Sequence, residues 1–193
     1  MNRVDGADEA LMIAASKDDL HAFETLVGRH QNRIYRMALQ MLNTEEDAWD
    51  VSQEIFIKVY NARHSYVKDA KFTTWLYRIA NNAIIDRLRQ FQRAQRVVSM
   101  DDNLPEPKSN DRSTHHHLVL EETKKQMSEA LYKLSERQRS MVILKYYEGC
   151  SVKEIAEVFN CATGTVKATL FQAIKHLKEG LAKSGVMNAE VAS

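Results

Sequence analysis

The sequence predicts an all-α protein: two small helical domains joined by a flexible linker, the second containing a helix-turn-helix. Three observations carry this. Glycine and proline are scarce, six and two in 193 residues, which argues against a turn-rich sandwich or barrel. Apolar residues recur at three- and four-residue spacing along two long blocks, as on helices. Between the blocks, VVSMDDNLPEPKSNDRST from Val97 to Thr114 holds both prolines and no periodicity, the composition of a linker. The expected domains are therefore residues 1–96 and 118–183, with a linker over 97–117 and a tail, SGVMNAEVAS, over 184–193.

The first block reads as helical from about Asp8 to Gln95. Phe23, Leu26 and Val27, then Ile34, Met37, Ala38, Met41 and Leu42, make one stripe. Asn43-Thr44 breaks it, and Thr44 is placed to cap a helix whose first turn holds Glu45, Glu46 and Asp47, where the helix dipole favours acid. Ala48, Val51, Ile55, Val59 and Phe56 form the apolar side of that helix. His64 to Lys71 reads as a loop. The next helix, starting near Thr73 or Thr74, buries Leu76, Ile79, Ala80, Ala83, Ile84, Leu88 and Phe91, with Trp75, Arg78, Asn82 and Arg89 towards its other side.

In the second block, Ser135 with Gln138 and Ser151 with Glu154 each have capping-box spacing. A short helix from Val152 to about Phe159 would bury Val152, Ile155, Ala156 and Phe159. The turn Asn160-Cys161-Ala162 follows, with Thr163 as cap of a second helix burying Val166, Leu170, Ala173, Ile174, Leu177 and Leu181. This is the size and turn of a helix-turn-helix, whose second helix enters the major groove of DNA. The remaining face offers Thr163, Thr165, Lys167, Ala168, Phe171 and Lys175. The two lysines and the first backbone amides suit phosphates, and the short Thr165 and Ala168 allow close approach to base edges. A solvated helical hairpin with Phe171 packed on the preceding helix is the alternative.

Composition bounds the function. Hydrophobic content of 44% and charged content of 27% are those of a soluble globular protein. No window approaches eighteen uncharged apolar residues, so no transmembrane helix is expected. The stretch MNRVDGADEALMIAASKDDL is acidic without an apolar core, so neither a signal peptide nor membrane insertion is expected, and the expected location is cytoplasmic. Cys150 and Cys161 make no disulfide framework and read as reduced thiols. Adjacent side chains of His115-His116-His117 point in different directions, and zinc wants four convergent ligands; no metal and no cofactor is expected. Glu45, Glu46 and Asp50 could be imagined as paired carboxylates, yet with no Gly-rich phosphate loop, an enzyme or a small-molecule substrate is not expected.

Net charge is only +1, but its distribution is uneven. Arg78, Arg87, Arg89, Arg93 and Arg96 face a single Asp86, while Glu45, Glu46, Asp47 and Asp50 cluster upstream. The basic run follows Phe72, Trp75 and Tyr77. Unpaired bases stack on aromatic rings at about 1–3 kcal/mol per base, so this segment, with Lys71 and Asn82, is suited to a locally opened strand. Ordinary core is the alternative for each ring.

The segments AFETLVGRHQNRIYRMALQML, DVSQEIFIKVY, FTTWLYRIANN, LSERQRSMVILKYYEGCSVKEIAEVF and GTVKATLFQAI, in that order, resemble the extracytoplasmic-function (ECF, group IV) sigma factors of the bacterial sigma-70 family, over about Leu11 to Leu181. The resemblance implies a sigma-two domain that binds the clamp helices of the largest RNA polymerase subunit and the melted minus-ten element. It also implies a sigma-four domain that binds the minus-thirty-five duplex and the polymerase flap. Carried onto this chain, it places core-polymerase binding on Asp50, Gln53, Glu54, Phe56 and Lys58. Single-strand binding falls on Tyr66, Lys71, Phe72, Trp75, Arg78 and Asn82, and duplex binding on the exposed face from Thr163 to Lys175. It implies transcription regulation, a role in stress response and an anti-sigma partner. The chain departs from the family pattern at SYVKDAK, which lacks the commoner glycine, and at Ala168-Thr169 and Gln172, where Ser-Arg and Arg are frequent. A free-standing helix-turn-helix regulator with a sensing or dimerising N-terminal domain is the second reading.

Opening about ten base-pair steps at ~1.4 kcal/mol each costs roughly 14 kcal/mol, whereas two or three stacked bases return at most about 9 kcal/mol. A protein of this kind therefore needs a larger machine to melt DNA. A linker of ~21 residues at roughly 3.3 Å each could reach ~70 Å, which would let the two domains sit about two turns of DNA apart, at ~34 Å per turn.

Overall fold

Helix α1 (Asp8–Ala15) opens a bundle whose loops are set by short polar devices. The computed structural model describes residues 7–67, 71–98 and 126–183; the linker residues beyond Val98, the histidine triplet and the tail lie outside them. Asp19 starts α2 (Leu20–Leu42) by accepting from the Ala22 amide at 3.0 Å. The helix ends at Asn43, whose left-handed φ of 60° turns the chain while its amide donates to Leu39 O, the αL stop that asparagine tolerates. Thr44 then sits at the N-cap of α3 (Glu45–Asn61). Its hydroxyl donates to Asp47 Oδ2 at 2.6 Å instead of accepting from a backbone amide.

A short 3-10 turn, Arg63–Ser65, leads to α4 (Phe72–Val98). That helix starts at Phe72, earlier than Thr73 or Thr74, and runs two residues into the stretch read as linker. The Phe72 amide donates to Glu9 Oε1 at 3.1 Å, which ties α1 to the start of α4. Leu11, Met12, Leu26, Ile34, Met37, Met41, Val51, Ile55, Leu76 and Ile84 are fully buried among these four helices.

In the second block, α5 covers residues 126–132 and α6 is Glu136–Val142. A π-helical turn, Ile143–Tyr147, continues α6. Gly149, at φ 69°, breaks the helix where a side chain would strain the left-handed backbone. Helix α7 (Val152–Val158), a turn with Asn160 at φ 47°, and α8 (Thr163–Lys183) complete the helix-turn-helix. Both expected capping boxes are present, Ser135 with Gln138 and Ser151 with Glu154. Thr163 is the first helical residue of α8 and not its cap, because the amides of Thr165 and Val166 donate to Ala162 O. In α7, Val158 is buried beside Ile155 and Ala156, whereas Val152 and Phe159 are half-exposed.

The two blocks are not separate in this structure. Their apolar residues form one continuous cluster, and α7 packs on α4 while α6 approaches α2. Buried Arg139 is the clip between them. Its guanidinium donates to Leu131 O, Tyr132 O and Leu134 O in its own block and to Met41 O at 2.8 Å in the other. Burial lowers its pKa, and the carbonyls together with the Tyr132 ring 4.0 Å below the guanidinium compensate for lost water. Tyr132 Oη donates to Leu42 O at 2.7 Å, and buried Ser140 bonds the Asn81 side chain.

Candidate functional site

The start of α4 is where the sequence places a single-strand site, and the fold divides its residues sharply. Phe72 and Tyr77 are buried and Trp75 is half-buried. Phe72 belongs to a ring cluster, edge-on to His30 at 5.3 Å and to Tyr66 at 6.3 Å and tilted against Trp75 at 6.2 Å between centroids. Tyr66 in turn meets Trp75 at 5.3 Å. A base cannot reach the Phe72 face in this conformation, so the expectation that Phe72 stacks on DNA gives way to a core role: holding Tyr66 and Trp75 in place. Tyr77 points inward and donates to Glu148 Oε2 at 2.8 Å; burial, and then this carboxylate, push its phenol pKa upward.

The polar members, Lys71 just before α4 and Arg78 and Asn82 on it, are exposed along one side. Two of them already have acceptors from the second block. Lys71 Nζ lies 2.7 Å from Glu154 Oε1, and Arg78 Nη2 donates to Glu157 O at 2.9 Å, near the C-terminal end of α7. The Lys71 ammonium, followed by the Ser151 amide and hydroxyl, holds the Glu154 carboxyl at about 2. Further along α4, Arg89 is 3.7 Å from Glu136, which also accepts from Gln92 at 3.1 Å. Asn82 lines a cleft of about 490 Å³ between the blocks, with Arg78 and Arg89 on one wall and Arg137, Phe159 and Asn160 on the other.

The basic run of α4 therefore serves several purposes. Arg78 and Arg89 reach across to the second block. Arg87 turns back to Asp47 and Asp50 on α3, at 3.6 and 3.5 Å, and lies over the Phe91 ring. Arg93 is exposed.

On α3, Asp50, Gln53, Glu54 and Lys58 share an exposed face, with Lys58 paired to Glu54 at 2.8 Å. Phe56 does not join them. It is 9% exposed and packs in the core, because position 56 follows the stripe of Ser52, Ile55 and Val59. The apolar groups on the outer face are Trp49, 58% exposed, and Ile57, 61% exposed. The sequence reading missed both, although the spacing of Trp49, Gln53 and Ile57 at four residues would have found them.

On α8, Thr163, Thr165, Lys167, Ala168, Phe171 and Lys175 are all exposed. Phe171 is 71% exposed, which removes the alternative that it packs on the preceding helix. Beside this face lies a second cleft where Ser135, Arg137 and Gln138 of the α6 entry meet Ala168, Thr169 and Gln172. Arg137 thus adds a cation near the recognition helix that linear reading did not assign.

The comparisons with known proteins cover both blocks. Residues 26–94 match the family described as Sigma-70 region 2, and residues 124–177 match Sigma-70, region 4. The ECF RNA polymerase sigma factor SigW of Bacillus subtilis is 30% identical over 181 residues, spanning 86% of this chain and 91% of that protein. The ECF RNA polymerase sigma-E factor of Haemophilus influenzae is 32% identical, spanning 86% and 90%. Among solved structures, CnrH in complex with the cytosolic domain of CnrY superposes with a TM-score of 0.71 at 25% identity, covering 92% of this chain and 99% of that one. RpoE in complex with the anti-sigma factor NepR from Bartonella quintana shares the fold, with a TM-score of 0.67 over 83% and 96%.

Proposed function

Because the chain belongs to the ECF RNA polymerase sigma factors, we propose that it is a non-catalytic promoter-specificity subunit of group IV. It binds core polymerase, recognises the minus-thirty-five and minus-ten elements and promotes melting. Residues 1–96 and 118–183 act as its sigma-two and sigma-four domains, separated by a linker over 97–117. It works in the cytoplasm, where core polymerase and promoter DNA are.

One observation carries this reading: a single chain bears an exposed recognition-helix face on α8 and an exposed polar row, Lys71, Arg78 and Asn82, beside half-buried Trp75 on α4. The first suits the edges and phosphates of a duplex. The second suits the phosphates and bases of an opened strand. With Phe72 and Tyr77 buried, Trp75 and Tyr66 are the rings nearest a strand, and stacking at about 1–3 kcal/mol per base falls further short of the melting cost of ~1.4 kcal/mol per step. The difference must come from polymerase.

Polymerase engages the outer face of α3. Asp50, Gln53, Glu54 and Lys58 give polar complementarity to a basic helical partner such as the clamp helices, and the sigma-four domain docks on the flap. An anti-sigma protein is a further partner: the cytosolic domain of CnrY and NepR each bind a protein of this fold.

Run-off transcription with core polymerase on a library of promoter fragments tests the reading. New start sites that require this chain and disappear with Trp75→Ala or Asn82→Ala are the expected result. Footprinting of duplex by the isolated chain, without polymerase-dependent initiation, would favour the free-standing regulator instead.

A further inference from the structure

Helix α1 and the corner after it, residues 16–19, hold both ends of the stretch that joins α3 to α4. At one end, Arg63 Nη2 and Nε donate to Asp18 Oδ1 at 2.6 and 3.2 Å, and its Nη1 donates to Tyr60 O at 2.9 Å. The guanidinium lies over the Tyr60 ring, 4.0 Å from its centroid, and His64 Nδ1 donates to Ser16 O at 2.9 Å. At the other end, Glu9 Oε1 accepts from the Phe72 amide at 3.1 Å, one of the donors that a helix start leaves without an internal partner. Neighbouring Asp8 accepts from His30 Nε2 at 2.7 Å, and the His30 ring stands edge-on to Phe72.

Resting on the reading of Tyr66 and Trp75 as the rings nearest an opened strand, we propose that Glu9 and Asp18 are positioning residues of the minus-ten site. Acting through Phe72 and Arg63, they fix where Tyr66 and Trp75 stand, and so how sharply the site discriminates between bases. Phe72 touches both rings, and the Tyr66 amide donates to Arg63 O at 3.4 Å. Burial, and then the Glu9 carboxylate, push the Tyr66 phenol pKa upward, so Glu9 is felt at that ring as well as at the Phe72 amide. Leu11, Met12 and Ala15 are buried, which keeps α1 from shifting as a whole.

Asp18 is in the left-handed region, at φ 68°. A side chain persists there only where its surroundings hold it, and the Arg63 fork does so. Helix α1 and the corner also precede residue 26, where the match to Sigma-70 region 2 begins. Stacking by itself is tolerant of sequence, because every base has a π face. Discrimination needs the rings locked in one geometry by the residues behind them.

The test pairs each disruptive substitution with a conservative one. Glu9→Ala removes the acceptor, whereas Glu9→Gln keeps one. Asp18→Gly suits the left-handed backbone but frees Arg63, whereas Asp18→Asn tolerates that backbone and retains an acceptor oxygen. Polymerase carrying the full chain is assayed on promoter fragments with a pre-opened minus-ten region that differ by single bases. Glu9→Ala and Asp18→Gly should narrow the ratio between the best and worst fragments about three-fold, the scale of one lost hydrogen bond. Glu9→Gln and Asp18→Asn should restore it. An unchanged ratio in either disruptive variant, or a uniform loss on all fragments, would overturn the proposal.

A second readout needs neither polymerase nor DNA. In a Trp49→Phe background, Trp75 is the only tryptophan of the chain. Acrylamide quenching of its fluorescence should rise about two-fold in Glu9→Ala, as a half-buried ring loosens towards solvent, and return in Glu9→Gln. Equal quenching in all three chains would overturn the positioning role. Raised quenching without any polymerase-dependent initiation would sink the sigma reading of the site while leaving the positioning of the rings standing.

Discussion

Lys71, just before α4, lies 2.7 Å from Glu154, the third residue of α7. One carboxylate thus performs two tasks: Oε2 accepts from the Ser151 amide to close a capping box, and Oε1 ties the two blocks together. Because the pair is ionic, its strength depends on the protonation of Glu154.

The first consequence is acid sensitivity of the contact between the blocks. The Glu154 carboxyl is held at about 2, below its ordinary 4.5. A depressed pKa contributes stability that is complete above the unfolded value and is lost as pH falls through the folded one. Lowering the pH from about 4.5 towards 2 should therefore loosen the contact between the blocks, read as a longer distance between spin labels at exposed Glu24→Cys and Glu179→Cys. Glu154→Gln should remove that component of the pH dependence, and an unchanged acid profile in the variant would refute it.

Tyr77→Phe removes the donor to Glu148 Oε2 but leaves the Arg33 contact at 3.0 Å. A hydrogen bond to a charged acceptor is worth about 1.5–3 kcal/mol. With Arg33 compensating in part, urea unfolding should show a loss of about 1–2 kcal/mol. A loss below about 0.5 kcal/mol would mean that the bond contributes little.

Arg139→Lys should cost far more than its charge conservation suggests. A lysine cannot reproduce the planar fork that serves carbonyls in both blocks, and Met41 O, Leu131 O, Tyr132 O and Leu134 O would lose their present donor. Removing one partner from a buried charged network costs about 3–5 kcal/mol. Thermal unfolding checks the size, and near-wild-type stability would show that the carbonyls find other donors.

The division of α3 into inner and outer faces separates stability from binding. Phe56→Ala should destabilise the chain by about 3–5 kcal/mol through a core cavity. Trp49→Ala and Ile57→Ala should leave Tm within a few degrees yet weaken core-polymerase binding about ten-fold, measured by competition for core against the unlabelled wild-type chain. Full affinity in both surface variants would move the docking site elsewhere.

Local signals that stay local were legible in the residues. Ser135 with Gln138, and Ser151 with Glu154, cap as their spacing requires, since a capping box is decided within four residues. The stripes of α2, α3 and α8 follow their periodicity because a helix can bury only one side. Phe56 obeys the same rule: periodicity put it on the apolar side of α3, where it is buried, and only the resemblance had set it among the polymerase-binding residues. Thr163 shows a one-residue slip at a cap, where Ala162 O supplies the acceptor.

By itself, the sequence determined the all-helical class, the two blocks, the helix-turn-helix and the family, because each rests on short-range periodicity or ordered motifs. Only the tertiary structure decided that Phe72 is core and that Lys71 and Arg78 meet acceptors from the second block. Those outcomes depend on pairs 63 to 83 residues apart, such as Phe72 with Glu9, Arg78 with Glu157 and Lys71 with Glu154. No local spacing encodes them; they follow from one helix docking on another, which brings distant charges to the same rim.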